Sequence, residues 1–280
     1  MIQSAGAFSL AVLCAKLAGN SIPALEMVFF RSLIGSAMLL AWMIPKKISI
    51  LGKTKRWLMI LRGVSGFLAL TLHFYTITHL PLGLAVMLNY TSPIMASILA
   101  ICVLKERPYP ILIVMTFISF AGVYLLVGGA FPTWNIYVAL GLLSAVFAAI
   151  AYTLIRAVKE HEDPMTIMVY FTNISTLGSL FFIPTGFVWP HSLDWLFLIG
   201  IGIGTFYGQL WMTIAFQSAP ASVISPFFYV TPLLSFIYGL LFFGEHLNKQ
   251  SILGVILIVA SGCVISYSES KRTKTVVSHE

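Results

Sequence analysis

Residues 80–107 read LPLGLAVMLNYTSPIMASILAICVLKER, and residues 219–246 read APASVISPFFYVTPLLSFIYGLLFFGEH. Laid over one another without a gap, they match Pro81 to Pro220, Tyr90 to Tyr229, Pro93 to Pro232 and Glu106 to Glu245. Each pair is 139 residues apart, close to half of the 280-residue chain. After a one-residue insertion Ala121-Gly122 corresponds to Ser261-Gly262, and the seam is Gly128-Gly129-Ala130-Phe131-Pro132-Thr133. The expected organisation is a first unit at 1–130, a second at 131–270 and a basic tail at 271–280.

Composition says what solvent these copies fold in. Hydrophobic residues make up 59% and Asp, Glu, Lys and Arg together 9%, with a mean hydropathy of +0.96. Soluble domains carry roughly 25% charged residues, so this chain has too few to cover a water-exposed surface. About 20 apolar residues are needed to cross about 30 Å of hydrocarbon. On that ruler ten spans are expected, at 2–18, 24–44, 57–78, 83–104, 111–128, 136–156, 165–184, 195–216, 221–243 and 252–267. Five helices per copy is an odd number, so the second copy enters from the opposite face. The fold class is an all-α polytopic membrane protein of ten transmembrane helices in two inverted five-helix repeats. The first run has no basic stretch before it and no A-x-A-like cleavage site after it, which reads as a retained helix.

Lys and Arg in the loops set direction. With the N-terminus in the cytoplasm, the inner loops and tail hold Lys46, Lys47, Lys53, Lys55, Arg56, Lys105, Arg107, Arg156, Lys159, Lys271, Arg272 and Lys274. The other side holds only Lys249. Both termini are therefore expected inside, in the manner of a bacterial cytoplasmic (inner) membrane protein. The net charge of +7 does not point to nucleic acid, because no basic face with interleaved aromatics is present. Cys14, Cys102 and Cys263 sit singly within apolar runs, which argues against disulfides and metal ligation. No cofactor or metal is expected.

Proline inside a membrane helix frees a backbone carbonyl that neighbouring polar groups or water must satisfy. Matched interrupted helices in two inverted halves are the sequence pointer to a secondary transporter's binding site. Pro93 and Pro232 are the expected helix breaks. The pattern resembles the EamA-type branch of the drug/metabolite transporter superfamily. The resemblance rests on Pro23-x-x-Glu26-x-x-x-x-Arg31, on Tyr90-x-x-Pro93 with Glu106, and on Tyr229-x-x-Pro232 with Glu245. It implies a ten-helix fold that moves small metabolites, amino acids among them, without ATP.

Charged and polar residues within spans are functional candidates because they are costly there. Lys16 and Glu26 flank the first outer turn at similar depth and are expected to be able to pair. Arg31 lies five residues past Glu26, about 140° around the helix, and faces a different neighbour or cavity. His73 and Asn89 are each eight residues from Pro81 and so depth-matched. The candidate substrate-binding residues are Asn89, Tyr90, Trp211, Tyr229 and Arg31. Glu26 and His73 are the candidates for coupling to protons, since a change from wet to dry surroundings can change their charge. Gln209, Tyr152, Tyr170 and Asn173 are further polar groups on helices, and Arg62 reads as a snorkelling side chain near a helix end.

Three short motifs mislead. Gly52-Lys53-Thr54 lacks the first glycine of a phosphate loop, so no ATP motor is expected in this chain. Gly204-x-x-x-Gly208 reads as a close helix–helix contact rather than a dinucleotide site. Gly63-Val64-Ser65-Gly66 reads as packing, because no later span contains a histidine to serve its serine. The leading function is secondary transport of an amino acid or related zwitterionic or amphipathic metabolite by alternating access, as a monomer or homodimer. The alternatives are a membrane-embedded enzyme acting on a lipid-borne substrate and a nucleotide-sugar or sugar-phosphate translocator.

Overall fold

A computed structural model describes the chain except residues 20, 53, 81–87, 106–109, 127–134, 159–161, 183–186, 244–248 and 278–280. Among the described residues ten helices longer than ten residues follow one another without a strand. They are α1 (Ile2–Ala18), α2 (Ala24–Met43), α3 (Arg56–His79), α4 (Ser92–Leu104) and α5 (Pro110–Leu126). The second five are α6 (Ile136–Ala157), α7 (Pro164–Phe182), α8 (Ser192–Ser218), α9 (Val230–Phe243) and α10 (Lys249–Val277). Stretches of α2, α3, α6 and α8 are long and apolar enough to cross a membrane. Helix α10 runs through Val277, so residues 271–277 of the expected tail continue that helix.

Two expected spans are divided. In the first copy Leu88 and Asn89 are helical, Tyr90 and Thr91 form a turn, and α4 begins only at Ser92. In the second, a helical turn (Ala221–Ile224) and a 3-10 turn (Ser225–Tyr229) precede α9. Pro93 is thus the second residue of α4 and Pro232 the third of α9. A proline in a first turn removes an N–H that has no intrahelical partner in any case.

The packing follows a rule. Exchanging each helix with the one five places on leaves the principal contacts unchanged: α1 on α8 becomes α3 on α6, α1 on α9 becomes α4 on α6, and α2 on α8 becomes α3 on α7. The pairs α2–α7 and α5–α10 map onto themselves. All of these join one half of the chain to the other. Small residues permit the approach, as expected for helices with no hydrophobic drive between them. A Cβ on Gly204 would lie 2.9 Å from the Ala7 carbonyl oxygen of α1, and the Ser4 hydroxyl donates to the Gly208 carbonyl at 2.7 Å. Gly63 meets the Tyr170 carbonyl of α7 in the same way, at 2.9 Å.

The exchange extends to the helix ends. On one face Glu26, near the start of α2, accepts from the Val188 backbone N–H at 2.8 Å in the α7–α8 connection. On the other, Glu162, just ahead of α7, accepts from the Thr54 and Lys55 N–H groups at 2.9 and 3.2 Å in the α2–α3 connection. Gly52 makes room for this second clamp: its φ is +70°, and a Cβ there would stand 2.7 Å from Glu162 Oε2. The Glu162 carboxylate thus satisfies main-chain donors at the start of α3 that the helix cannot. We expect Glu162→Ala to lower stability by about 2 kcal/mol, the scale of lost hydrogen bonds to a charged acceptor. Thermal unfolding in detergent measures it, and an unchanged midpoint would refute the clamp.

Candidate functional site

Between α2, α7 and α8, where the halves meet, lies a cavity with room for about one water molecule. Arg31 and Ser32 border it from α2, Phe171 and Thr172 from α7, and Thr205 and Gln209 from α8. Arg31 is buried, and no acidic side chain pairs with it among the described residues. Its charge acts on the Tyr152 phenol of α6 and on His73 of α3. The Ser36 hydroxyl donates to Asn173 Oδ1 and stands 3.3 Å from the Thr172 hydroxyl, so a polar seam continues along α2–α7.

Arg62 corrects the sequence reading. It does not snorkel: it is only 2% exposed, with its guanidinium carbon 4.5 Å from the centre of the Phe171 ring. Nη2 makes one long hydrogen bond, 3.4 Å, to Gln209 Oε1, and Nε is buried without a partner. Both of its neighbours, Phe171 and Gln209, also line the cavity at Arg31. Tyr152 feels both arginines, and its hydroxyl hydrogen-bonds Ser92 at the start of α4. Gly66 lies one turn beyond Arg62 on the same helical face, and that face packs on Phe171.

Beside this cation layer the two interrupted segments bring their tyrosines together. The Tyr90 and Tyr229 rings lie 6.1 Å apart, and Phe120 is 6.4 Å from Tyr229. Tyr90 hydrogen-bonds the Thr231 side chain across the halves. Tyr229 is fully buried, and its hydroxyl has no partner. Tyr152 stacks on Phe216 at 5.2 Å and 15°, with Phe228 5.1 Å away.

Other candidates are placed elsewhere. Trp211 packs on Tyr207, 5.4 Å away, while its neighbour Met212 joins the core that includes Tyr90. One residue is 100° of helix, which separates the two faces. Asn89 donates to the Ser144 hydroxyl of α6 at 3.1 Å and so holds the interrupted segment to the second half. Glu26 accepts from the Val188 N–H, and its Oε2 is buried without a hydrogen-bond partner. His73 Nδ1 is likewise buried and unpartnered. Tyr170 donates to the Leu51 carbonyl at the edge of the bundle. Glu106 and Glu245 lie outside the described residues.

A family model, the EamA-like transporter family, matches this chain twice, over residues 1–128 and 135–267. A pseudopaline exporter of Pseudomonas aeruginosa is 30% identical, the alignment covering 92% of each chain. An S-adenosylmethionine uptake transporter of Rickettsia prowazekii is 23% identical over 91% of this chain and 87% of its own. Human solute carrier family 35 member G1 is 28% identical over 93% of this chain and 76% of its own. A crystal structure at 18% identity shares the fold, with a TM-score of 0.78 over 97% of this chain and 96% of that one. The double match and the ten-helix architecture lead to one conclusion: the chain belongs to the EamA-like transporter family, whose members are polytopic membrane proteins.

Proposed function

We propose that this protein is a secondary transporter that carries a small carboxylate-bearing metabolite, an amino acid or a derivative, by alternating access. The observation that carries this reading is the buried Arg31 guanidinium, which lines a cavity between the halves and has no acidic partner among the described residues. A buried cation is costly unless an anion and hydrogen bonds compensate it, and a substrate carboxylate supplies both. The two units, 1–130 and 131–270, act as inverted halves that rock about this layer, with both termini cytoplasmic in a bacterial inner membrane. Relatives named for pseudopaline export and S-adenosylmethionine uptake support a metabolite of this size and polarity. Tyr90 and Tyr229 supply amphipathic walls, and Asn89 positions the interrupted segment rather than touching the substrate.

Counterflow in proteoliposomes loaded with a cell metabolite extract, read by mass spectrometry, tests the class. Exchange of a small set of compounds above empty liposomes supports it; no exchange by a folded preparation refutes it. Proton coupling is assigned to Glu26 and His73, each of which holds a buried polar atom without a hydrogen-bond partner. The Glu26→Gln, His73→Gln double variant is expected to keep counterflow but lose accumulation driven by a pH gradient. Retained gradient-driven uptake would remove both residues from that role.

A further inference from the structure

The cation layer holds two arginines, not one, and this bears on the substrate. Resting on the transporter reading above, we propose that Arg31 and Arg62 are the two ends of a single anion slot, and that the substrate carries two acidic groups.

Three observations converge. Arg31 and Arg62 are both buried, and among the described residues no Asp or Glu pairs with either. The described carboxylates whose hydrogen bonds are known are engaged elsewhere: Glu26 with Val188, Glu162 with Thr54 and Lys55, Asp163 with Met165, and Asp194 with Ser21 and His191. Second, the lining of one cavity connects the two side chains. Arg31 lines the cavity directly, and Arg62 is held against Phe171 and Gln209, which line it too. Third, both charges reach the same phenol, Tyr152.

Their separation follows from helix geometry. Arg31 is twelve residues before the end of α2, and Arg62 six residues after the start of α3, at the same face of the bundle. At 1.5 Å per residue their backbone positions differ in depth by roughly 9 Å. Two acidic groups a few bonds apart can engage one guanidinium each, with the forked geometry that favours an arginine–carboxylate pair. Each buried guanidinium is costly without an anion, and a doubly acidic guest offsets both. Arg62 also carries the means to orient its guest. Its guanidinium plane is fixed by the Phe171 ring and Gln209, leaving Nε as a donor with no partner.

The test is extract counterflow by wild type, Arg62→Gln and Arg62→Lys, with every exchanged compound scored for its acidic groups. Compounds with two or more acidic groups are expected to dominate in the wild type. Relative to compounds with one, their exchange is expected to fall about tenfold or more in Arg62→Gln, the scale of a lost hydrogen bond to a charged group. Arg62→Lys keeps the charge without the planar fork, so it should recover part of that selectivity. The ratio is read within one preparation, so lower yield or poorer folding cannot produce it. Wild-type exchange confined to compounds with one acidic group, or an equal loss for all compounds in Arg62→Gln, would overturn the two-anion slot and leave the transporter reading standing. No exchange of any compound by folded wild type would overturn both.

Discussion

Replacing Arg31 by methionine is expected to abolish counterflow and, in the same protein, to raise the melting temperature. The two effects have one cause. Arg31 is 8% exposed, faces a cavity with room for about one water, and lacks a carboxylate partner among the described residues. Exchanging buried charges for apolar side chains of similar volume is often neutral or stabilising by about 1–4 kcal/mol, and methionine fills irregular gaps well. Losing one partner of a buried charge pair costs binding about 2–5 kcal/mol, which corresponds to a 30-fold to several-thousand-fold loss of affinity. Activity and stability should therefore move in opposite directions. A variant that melts several degrees lower would show that Arg31 holds the fold together. Exchange within threefold of wild type would show that the substrate does not meet it.

The second large effect concerns the crossing of α5 and α10. The repeat matches Gly122 to Gly262, yet their surroundings differ. A Cβ at Gly122 would stand 2.8 Å from the Gly254 carbonyl oxygen and 3.2 Å from the Ile258 nitrogen, both of them backbone. At Gly262 an added Cβ meets nothing within 4 Å. The Ser119 and Ser261 hydroxyls, 2.5 Å apart, hold the same crossing in register. Gly122→Val is thus expected to lower stability by about 3 kcal/mol, the upper range of overpacking costs, because backbone cannot move aside as a side chain can. Gly262→Ala should leave the melting temperature within a degree of wild type. Equal effects at both positions would mean that the two helices do not cross as described.

Much of this architecture is legible in the sequence, for a simple reason. Span length is imposed by the bilayer, so apolar runs found all ten helices, and Gly204 and Gly208 announced a close helix–helix contact, which the structure places between α1 and α8. The interruption of two spans ahead of Pro93 and Pro232 follows from local chemistry alone. The site is less legible because its partners arrive from far along the chain. Gln209, 147 residues after Arg62, turns what looks like a snorkelling charge into a buried one. Val188, 162 residues after Glu26, supplies the carboxylate with a main-chain donor that no local pattern announces. Trp211 turns on helical phase, since one residue's rotation sets which neighbours a ring meets, here Tyr207.

The two glutamate clamps have a consequence for the balance between the faces. Each closes one end of the bundle with a carboxylate bound to main-chain N–H groups of the opposite half, Glu26 at Val188 and Glu162 at Thr54 and Lys55. Parting the halves at either end must break bonds of the same chemical kind, one at Glu26 and two at Glu162. The end closed by Glu162, with two such bonds against one, is the more firmly fastened of the two.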